Sequence, residues 1–393
     1  MEEIGKRRLA AAAIALAGIA YFFACARPLP KTLVLAPGWA RALPAAALSA
    51  APAAAPSGAA APMVIDDRSV ATLETKAGPG STGFDKGASG FPYALAGRYG
   101  YFDAQGLIAS ADAAPFGLAQ SKGAYIAYDR LPESLSLRSA GGAELARITE
   151  PGYPFFAAGR LFLLRPGQAS VAEIGPDGAA LWSRDFPSIV TAFDASEELA
   201  LFGLMDGSLV GVGPKGAELL SFSPGGSRIA GIYGCAVSPD GEMVAAVSGL
   251  DRQRLVVLER RSAAYRVTYH RWLESDYRRP VAMAFTGDGS YLAYESPTGL
   301  GLYDRAARRE ASLSAARLAS VGEYLADRGL LLLLEGGGAE KGVLIASPAG
   351  RRLFTAPFTA SEAFVSRSGD AVFLGIAEGG GAASILRMDL KEE

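Results

Sequence analysis

From about residue 90 onward, short apolar or alternating runs follow one another, each ended by glycine or an Asp-Gly pair. No stretch keeps a helical period for long. RRSAAYRVTYHRW, for example, alternates polar and apolar positions, which puts successive side chains on opposite faces of a strand. The pattern predicts many short antiparallel strands.

The turns recur with a common flank. AVSPDGEMVAAV (236–247) is similar to AFTGDGSYLAYE (284–295), YLADRGLLLLLE (324–335) and FVSRSGDAVFLG (364–375), with starts 48, 40 and 40 residues apart. AFDASEELALFG (192–203) precedes the first by 44, and weaker copies surround Gly123 and Gly159. A second hairpin follows in each unit, as in SVAEIGPDGAALWSR, SLVGVGPKGAELLSF and VLIASPAGRRLFTAP. Two hairpins every 40–45 residues is the spacing expected of four-stranded propeller blades. The fold class read from the sequence is therefore all-β, a β-propeller of four-stranded antiparallel blades.

SPDGEMVA and TGDGSYLA resemble the inner-strand turn of WD-like repeats. GPDGAALWSRDF is similar to the Gly…Leu-Trp segment of quinoprotein (PQQ)-like repeats, with Leu181 and Trp182 in the matching places. The Trp-Asp dipeptide of the first family is absent throughout, so the resemblance implies a fold and no subfamily. Seven inner hairpins lie between residues 114 and 377, and RYGYFDAQGLIASAD (98–112) reads as an outer hairpin stranded at the start. Seven blades, closed by pairing the first strands with the last blade, is the favoured count. Eight is the alternative, with residues 63–75 (MVIDDRSVATLET) supplying the missing strand.

The N-terminus reads differently. Lys6, Arg7 and Arg8 precede an apolar run over residues 9–26, the pattern of a signal peptide or signal anchor. Three fates are open: a retained transmembrane anchor, cleavage after Ala26, or lipidation at Cys25 in the loose lipobox FFAC. All three export the rest of the chain. Residues 27–62, which include PAAALSAAPAAAPSGAAAP, read as a disordered Ala/Pro linker, since repeated prolines prevent a continuous helix. The propeller is assigned to residues 63–393, with 63–90 as an irregular lead-in.

Composition narrows the chemistry. Half the residues are hydrophobic, with 48 Gly and 23 Pro, which argues for a large core cut by many turns. A formal net charge of −2 gives no basic face for nucleic acid. With one histidine, His270, and two cysteines, neither a His-rich metal site nor a disulfide framework can be built. GVGPKG (211–216) spells the Gly-x-Gly-x-x-Gly fingerprint, but Pro214 and AELLSF turn it into a second strand where a dinucleotide site needs a helix. It reads as a turn. No catalytic, cofactor-binding or metal-ligating residue is assigned.

The richest surface segment is YRVTYHRWLESDYRRP (265–280). Tyr265, Tyr269, Trp272, Tyr277, Arg278 and Arg279 are residue types favoured at binding hot spots. The expectation is a non-enzymatic, extracytoplasmic protein-interaction scaffold, tethered to a membrane by its N-terminus and partnered by another envelope protein. The alternatives are an outer-membrane-assembly-type propeller lipoprotein, or a ligand-binding or quinone-dependent enzyme using the central funnel.

Overall fold

The computed structural model describes residues 33–43, 83–86, 90–108, 112–113, 116–128, 133–315, 318–320, 324–325, 328–379 and 381–392. They form eight antiparallel sheets, and the chain is an eight-bladed propeller. In blades 2 to 7 the strands follow chain order. Blade 3, for instance, runs Tyr153–Ala157, Arg160–Leu164, Ser170–Ile174 and Ala180–Asp185. Successive first strands pack on one another around the axis, and the fourth strands lie outermost with mostly exposed residues. One end of the ring therefore carries the hairpin turns (first to second strand, third to fourth). The other carries the connectors between blades.

The favoured count of seven is corrected by the start of the chain. Phe91–Leu95, Arg98–Phe102 and Asp112–Ala113 form a sheet of their own, blade 1. Its Ala96 amide donates to Glu362 at 2.8 Å, and its Arg98 donates to the Gly381 carbonyl at 2.9 Å. Both contacts lie at the connector end of blade 8, so these three strands match the second, third and fourth of the other blades. Phe91–Leu95 carries no Asp-Gly turn, which is why counting turns missed it. Among the described residues no further strand pairs with Phe91–Leu95; residues 63–75, offered above for a missing strand, lie outside them, as does the apolar run 9–26. No helix among the described residues is long and apolar enough to cross a membrane.

Blade 8 closes the ring. Glu362–Ser368, Ala371–Ala377 and Ala383–Glu392 are completed by Leu33–Ala42, which pairs antiparallel with the last of them from Leu33↔Glu392 to Ala42↔Ser384. This strand falls inside residues 27–62, read above as linker. The composition hid it because it holds a proline. Pro37 is tolerated because the strand is an edge and its register shifts between Pro37 and Ala40.

The inner turns share one device. In blade 5, Ser238 Oγ accepts from the Met243 amide at 2.9 Å while Asp240 Oδ1 accepts from the Glu242 amide at 3.0 Å. Thr286 and Asp288 repeat it in blade 6, accepting from Tyr291 and Ser290, both at 3.0 Å. The outer turns share another. Gly216 (φ +80°) of blade 4 sits against Trp182 of blade 3, where a β-carbon would lie 2.8 Å from the Trp182 Cβ; Gly106 (φ +82°) of blade 1 sits likewise on Trp39 of blade 8. The same contact joining blade 8 to blade 1 as joins blade 3 to blade 4 is the mark of a closed ring.

Each interblade gap holds its own core. Between blades 3 and 4, Phe155, Phe162, Phe193 and Phe202 pack with ring centres 4.7–5.6 Å apart. Beside them a buried charge cluster is fully paired. Arg160 donates to both Glu173 carboxylate oxygens at 2.8 and 2.6 Å and to the Ser196 carbonyl at 2.8 Å, and Trp182 Nε1 donates to Glu173 at 2.6 Å. In blades 2, 3, 4 and 7 the outermost strand bulges one residue past its outer turn. A leucine occupies the bulge each time: Leu145, Leu181, Leu219 and Leu353, all exposed.

Candidate interaction surface

The segment singled out in the sequence forms the fourth strand of blade 5, Ala264–Trp272, and the connector to blade 6. A register shift opposite Val257 and Leu258 inserts one residue between Val267 and Tyr269, which reverses the facing of everything after it. Tyr265 consequently packs toward blade 4, and its hydroxyl donates to the Gly241 carbonyl at 2.6 Å; burial pushes its pKa up to about 12. Tyr269 packs toward blade 6, its ring 4.7 Å from that of Tyr303. Its hydroxyl donates to Glu310 at 2.8 Å, and burial, reinforced by that carboxylate, raises it to about 12.

Tyr277 lies against the blade 5–blade 6 core with the Arg279 guanidinium 4.5 Å from its ring centre. Arg279 forks onto Glu295 at 2.6 and 2.8 Å. Four of the six residues are thus engaged inside the molecule, and the six do not form one patch. Arg278 is exposed on the connector, and His270 is exposed on the strand. Trp272 is half-buried at the connector end. It rests on Gly226, with the Arg252 and Arg254 guanidiniums 4.0 and 5.3 Å from its ring centre.

Around Trp272 the structure assembles a surface that the sequence did not reveal. Three loops meet at the connector end between blades 4 and 5: the 205–208 turn, the 223–231 connector and the 249–253 loop. Gly207 lies against Ala230, the Gly249 amide donates to Gly231 at 2.9 Å and Leu250 to Ile229 at 3.1 Å, while the Met205 amide is tied to Ile189 of the preceding connector at 3.0 Å. Asp251 fastens the connector, accepting from the Ser227 hydroxyl and from the Arg228 and Ile229 amides at 3.2 and 3.5 Å. The Ser227 hydroxyl, followed by those amides, holds the Asp251 carboxyl far below the usual carboxylate range. Held in this frame, Met205 and Ile229 are 49% and 53% exposed, next to an Arg228 side chain that is 92% exposed. Two large apolar side chains thus stand exposed on pinned loops at the end of the ring that also holds Trp272 and an exposed arginine. Length was a weak signal for it: the connector 223–231 is longer than most, but 273–282 is longer still, and the 249–253 loop is no longer than 165–169 or 378–382.

The Asp251 clasp has a pH signature. Its carboxyl titrates lower folded than unfolded, so its contribution is complete above the unfolded pKa of about 3.9 and is lost as pH falls through the folded value. Exchange of the Arg228 and Ile229 amides, corrected for intrinsic rate, is expected to stay slow from neutral pH to about 4 and to accelerate only below it. Asp251→Ala should give fast exchange at neutral pH. Unchanged protection in that variant would show that the clasp does not hold the connector.

Residues 211–216 form the end of one strand, a hairpin turn and the approach to the next, Glu218–Phe222, with no helix behind the glycines. Among the described residues no group of three or more His, Cys, Asp or Glu is arranged to hold a metal. Cys25 lies outside the described residues.

A family model described as a beta-propeller protein matches residues 1–386. An uncharacterized protein of Treponema pallidum (strain Nichols) is 30% identical over 213 residues, 54% of this chain and 56% of the relative. The match thus spans little more than half of that relative's length. Among solved structures, the computationally designed Ika8 protein superposes with a TM-score of 0.56 at 14% identity, covering 77% of this chain and 93% of its own. BamB from Moraxella catarrhalis gives 0.49 at 13% identity, covering 76% and 94%. At such identity the likeness to Ika8 is one of fold alone.

Proposed function

The chain belongs to this beta-propeller family, and from that membership we propose that it works as a protein-binding scaffold, held on the outer side of a membrane by residues 9–26. The observation that carries the reading is the exposure of Met205 and Ile229 on fastened loops at the connector end that also holds Trp272. A propeller offers many loops at its connector end, and here the loops of blades 4 and 5 put two apolar residues outward. Basic residues before an apolar run and none within it support insertion with the propeller on the far side of the membrane. The partner class that fits is another envelope protein with an apolar anchor of its own, since burying two such side chains rewards an apolar counterpart.

The test is site-specific photo-crosslinking in cells with the full-length chain. A crosslinker at Ile229 is expected to capture a defined protein, and Met205→Asp should cut that capture by about tenfold or more, the scale of a lost hot spot. Leu181 serves as control, since it is 60% exposed but sits on the outer strand of blade 3 near the hairpin end. Equal capture from both positions would sink the scaffold reading for this surface.

A further inference from the structure

The closing strand fixes where the chain leaves the propeller. Leu33 pairs with Glu392 at the hairpin end of blade 8, beside the Asp370 turn whose carbonyl accepts from the Leu390 amide at 2.9 Å. Only residues 27–32 separate that point from the apolar run ending at Ala26. Six residues reach about 20 Å when fully drawn out. An apolar run in the bilayer therefore keeps this corner of the ring next to the membrane surface. The Ala/Pro-rich residues 44–62 follow the strand in sequence, so they do not lie between the apolar run and the point where the ring begins.

The rim at that corner has a distinct charge. The outer turns of blades 5, 6 and 7, taken over residues 259–266, 304–310 and 351–352, hold eight arginines and three carboxylates, with Arg305 and Arg352 paired to Asp240 and Glu335 outside those turns. The matching turns of blades 2 to 4, over residues 138–147, 175–184 and 213–218, hold four basic residues and three acidic ones. Within the basic arc Glu259 is shared by Arg261 and Arg308, at 3.1 and 3.3 Å. Arg266, Arg309 and Arg351 are exposed and have no ion-pair partner among the described residues; nor does exposed Lys391, beside the closing strand. The arc is continuous with that strand: Gly350 of blade 7 sits on Ser312 of blade 6, and Leu35 and Phe354 pack on the same core between blades 7 and 8. Leu353, 41% exposed on its bulge, lies directly after Arg351 and Arg352.

We propose that the hairpin-end rim of blades 5 to 8 lies on the bilayer surface, its arginines on anionic lipid headgroups and Leu353 at the headgroup boundary. Guanidinium groups bind phosphate bidentately, and a positive arc within a Debye length of an anionic surface is drawn to it. The orientation turns the connector end, with Met205, Ile229 and Trp272, away from the membrane and toward partners. This proposal rests on residues 9–26 being membrane-inserted, as in the function proposed above.

The test uses the full-length chain in phosphatidylcholine vesicles with or without phosphatidylglycerol. A fluorophore is placed at Ala349→Cys on the blade 7 turn or at Glu274→Cys on the connector end, with Cys25 and Cys235 replaced by Ser and Ala. Headgroup-attached quencher should quench the 349 label at least about threefold more than the 274 label when phosphatidylglycerol is present. The triple reversal Arg309→Glu, Arg351→Glu, Lys391→Glu should remove the part of that difference that phosphatidylglycerol adds, while the protein stays with the vesicles. Equal quenching at both sites would overturn the orientation, and a difference indifferent to phosphatidylglycerol or to the reversal would overturn the arginine contacts with lipid. Release of the unmodified chain by alkaline carbonate would instead overturn the insertion on which it rests.

Discussion

Replacing Glu173 by leucine is expected to destabilise the propeller by about 3–5 kcal/mol, the cost of stranding a buried charge. Glu173 and Arg160 are 6% and 8% exposed, and each satisfies the other through two hydrogen bonds. Without the carboxylate, Arg160 keeps only the Ser196 carbonyl, and Trp182 Nε1 loses its acceptor. Both groups would then sit desolvated beside the phenylalanine core of blades 3 and 4. Urea unfolding followed by far-ultraviolet circular dichroism should show the midpoint falling. The double replacement Arg160→Met with Glu173→Leu should recover more than half of the loss, because no charge is left behind. A single variant with the wild-type midpoint would show that the cluster is not holding the two blades together.

Starting the chain at residue 44 is expected to cost a comparable amount by opening the ring. The strand Leu33–Ala42 shields the edge of Ala383–Glu392, sets Trp39 against Gly106 of blade 1 and packs Leu35 against blade 7, while Leu43 just beyond it is buried. Burying a large apolar side chain is worth about 1.5–3 kcal/mol, so losing three that are wholly or partly buried amounts to roughly 3–6 kcal/mol. The freed edge also presents unpaired amides and carbonyls, which favours aggregation. Thermal unfolding should move down, and a peptide of residues 33–43 added in trans should move it back. If the shortened chain unfolds at the original temperature, the strand is an ornament and the ring is closed by other contacts.

The repeat was legible in the sequence because its turns are chemically stereotyped. Ser238 with Asp240 and Thr286 with Asp288 solve one problem with the same atoms, so their letters recur. Strands without such turns left no mark. Phe91–Leu95 leaves none, which is why eight blades stand in the sequence only as the alternative count. Leu33–Ala42 was hidden by Pro37 and by alanine-rich surroundings, since an edge strand tolerates what a central strand cannot. The candidate surface was half legible. Trp272 was found from composition, but Tyr265, Tyr269, Tyr277 and Arg279 turned out to be packing and pairing groups. A single bulged residue decided which of them faced which blade, and a bulge has no letter of its own. Met205 and Ile229 were invisible for a different reason. Nothing in an isolated apolar residue says that three loops, distant in sequence, will hold it in the open.

The pairing of Leu33 with Glu392 also sets a clock. The first strand of the described propeller leaves the ribosome some 350 residues before its partner, which at 5–20 residues per second is roughly 20–70 seconds. Throughout that interval blades 1 to 7 can assemble from local hairpins, while the opening strand waits unmatched. Its eventual docking joins the most distant contacts in the chain, the kind that form late and slowly. A message cut short anywhere before residue 383 would therefore leave two faults, a missing blade and an orphaned strand at the opposite end. Closure of the described ring thus waits on one late event, in which Ala383–Glu392 captures Leu33–Ala42.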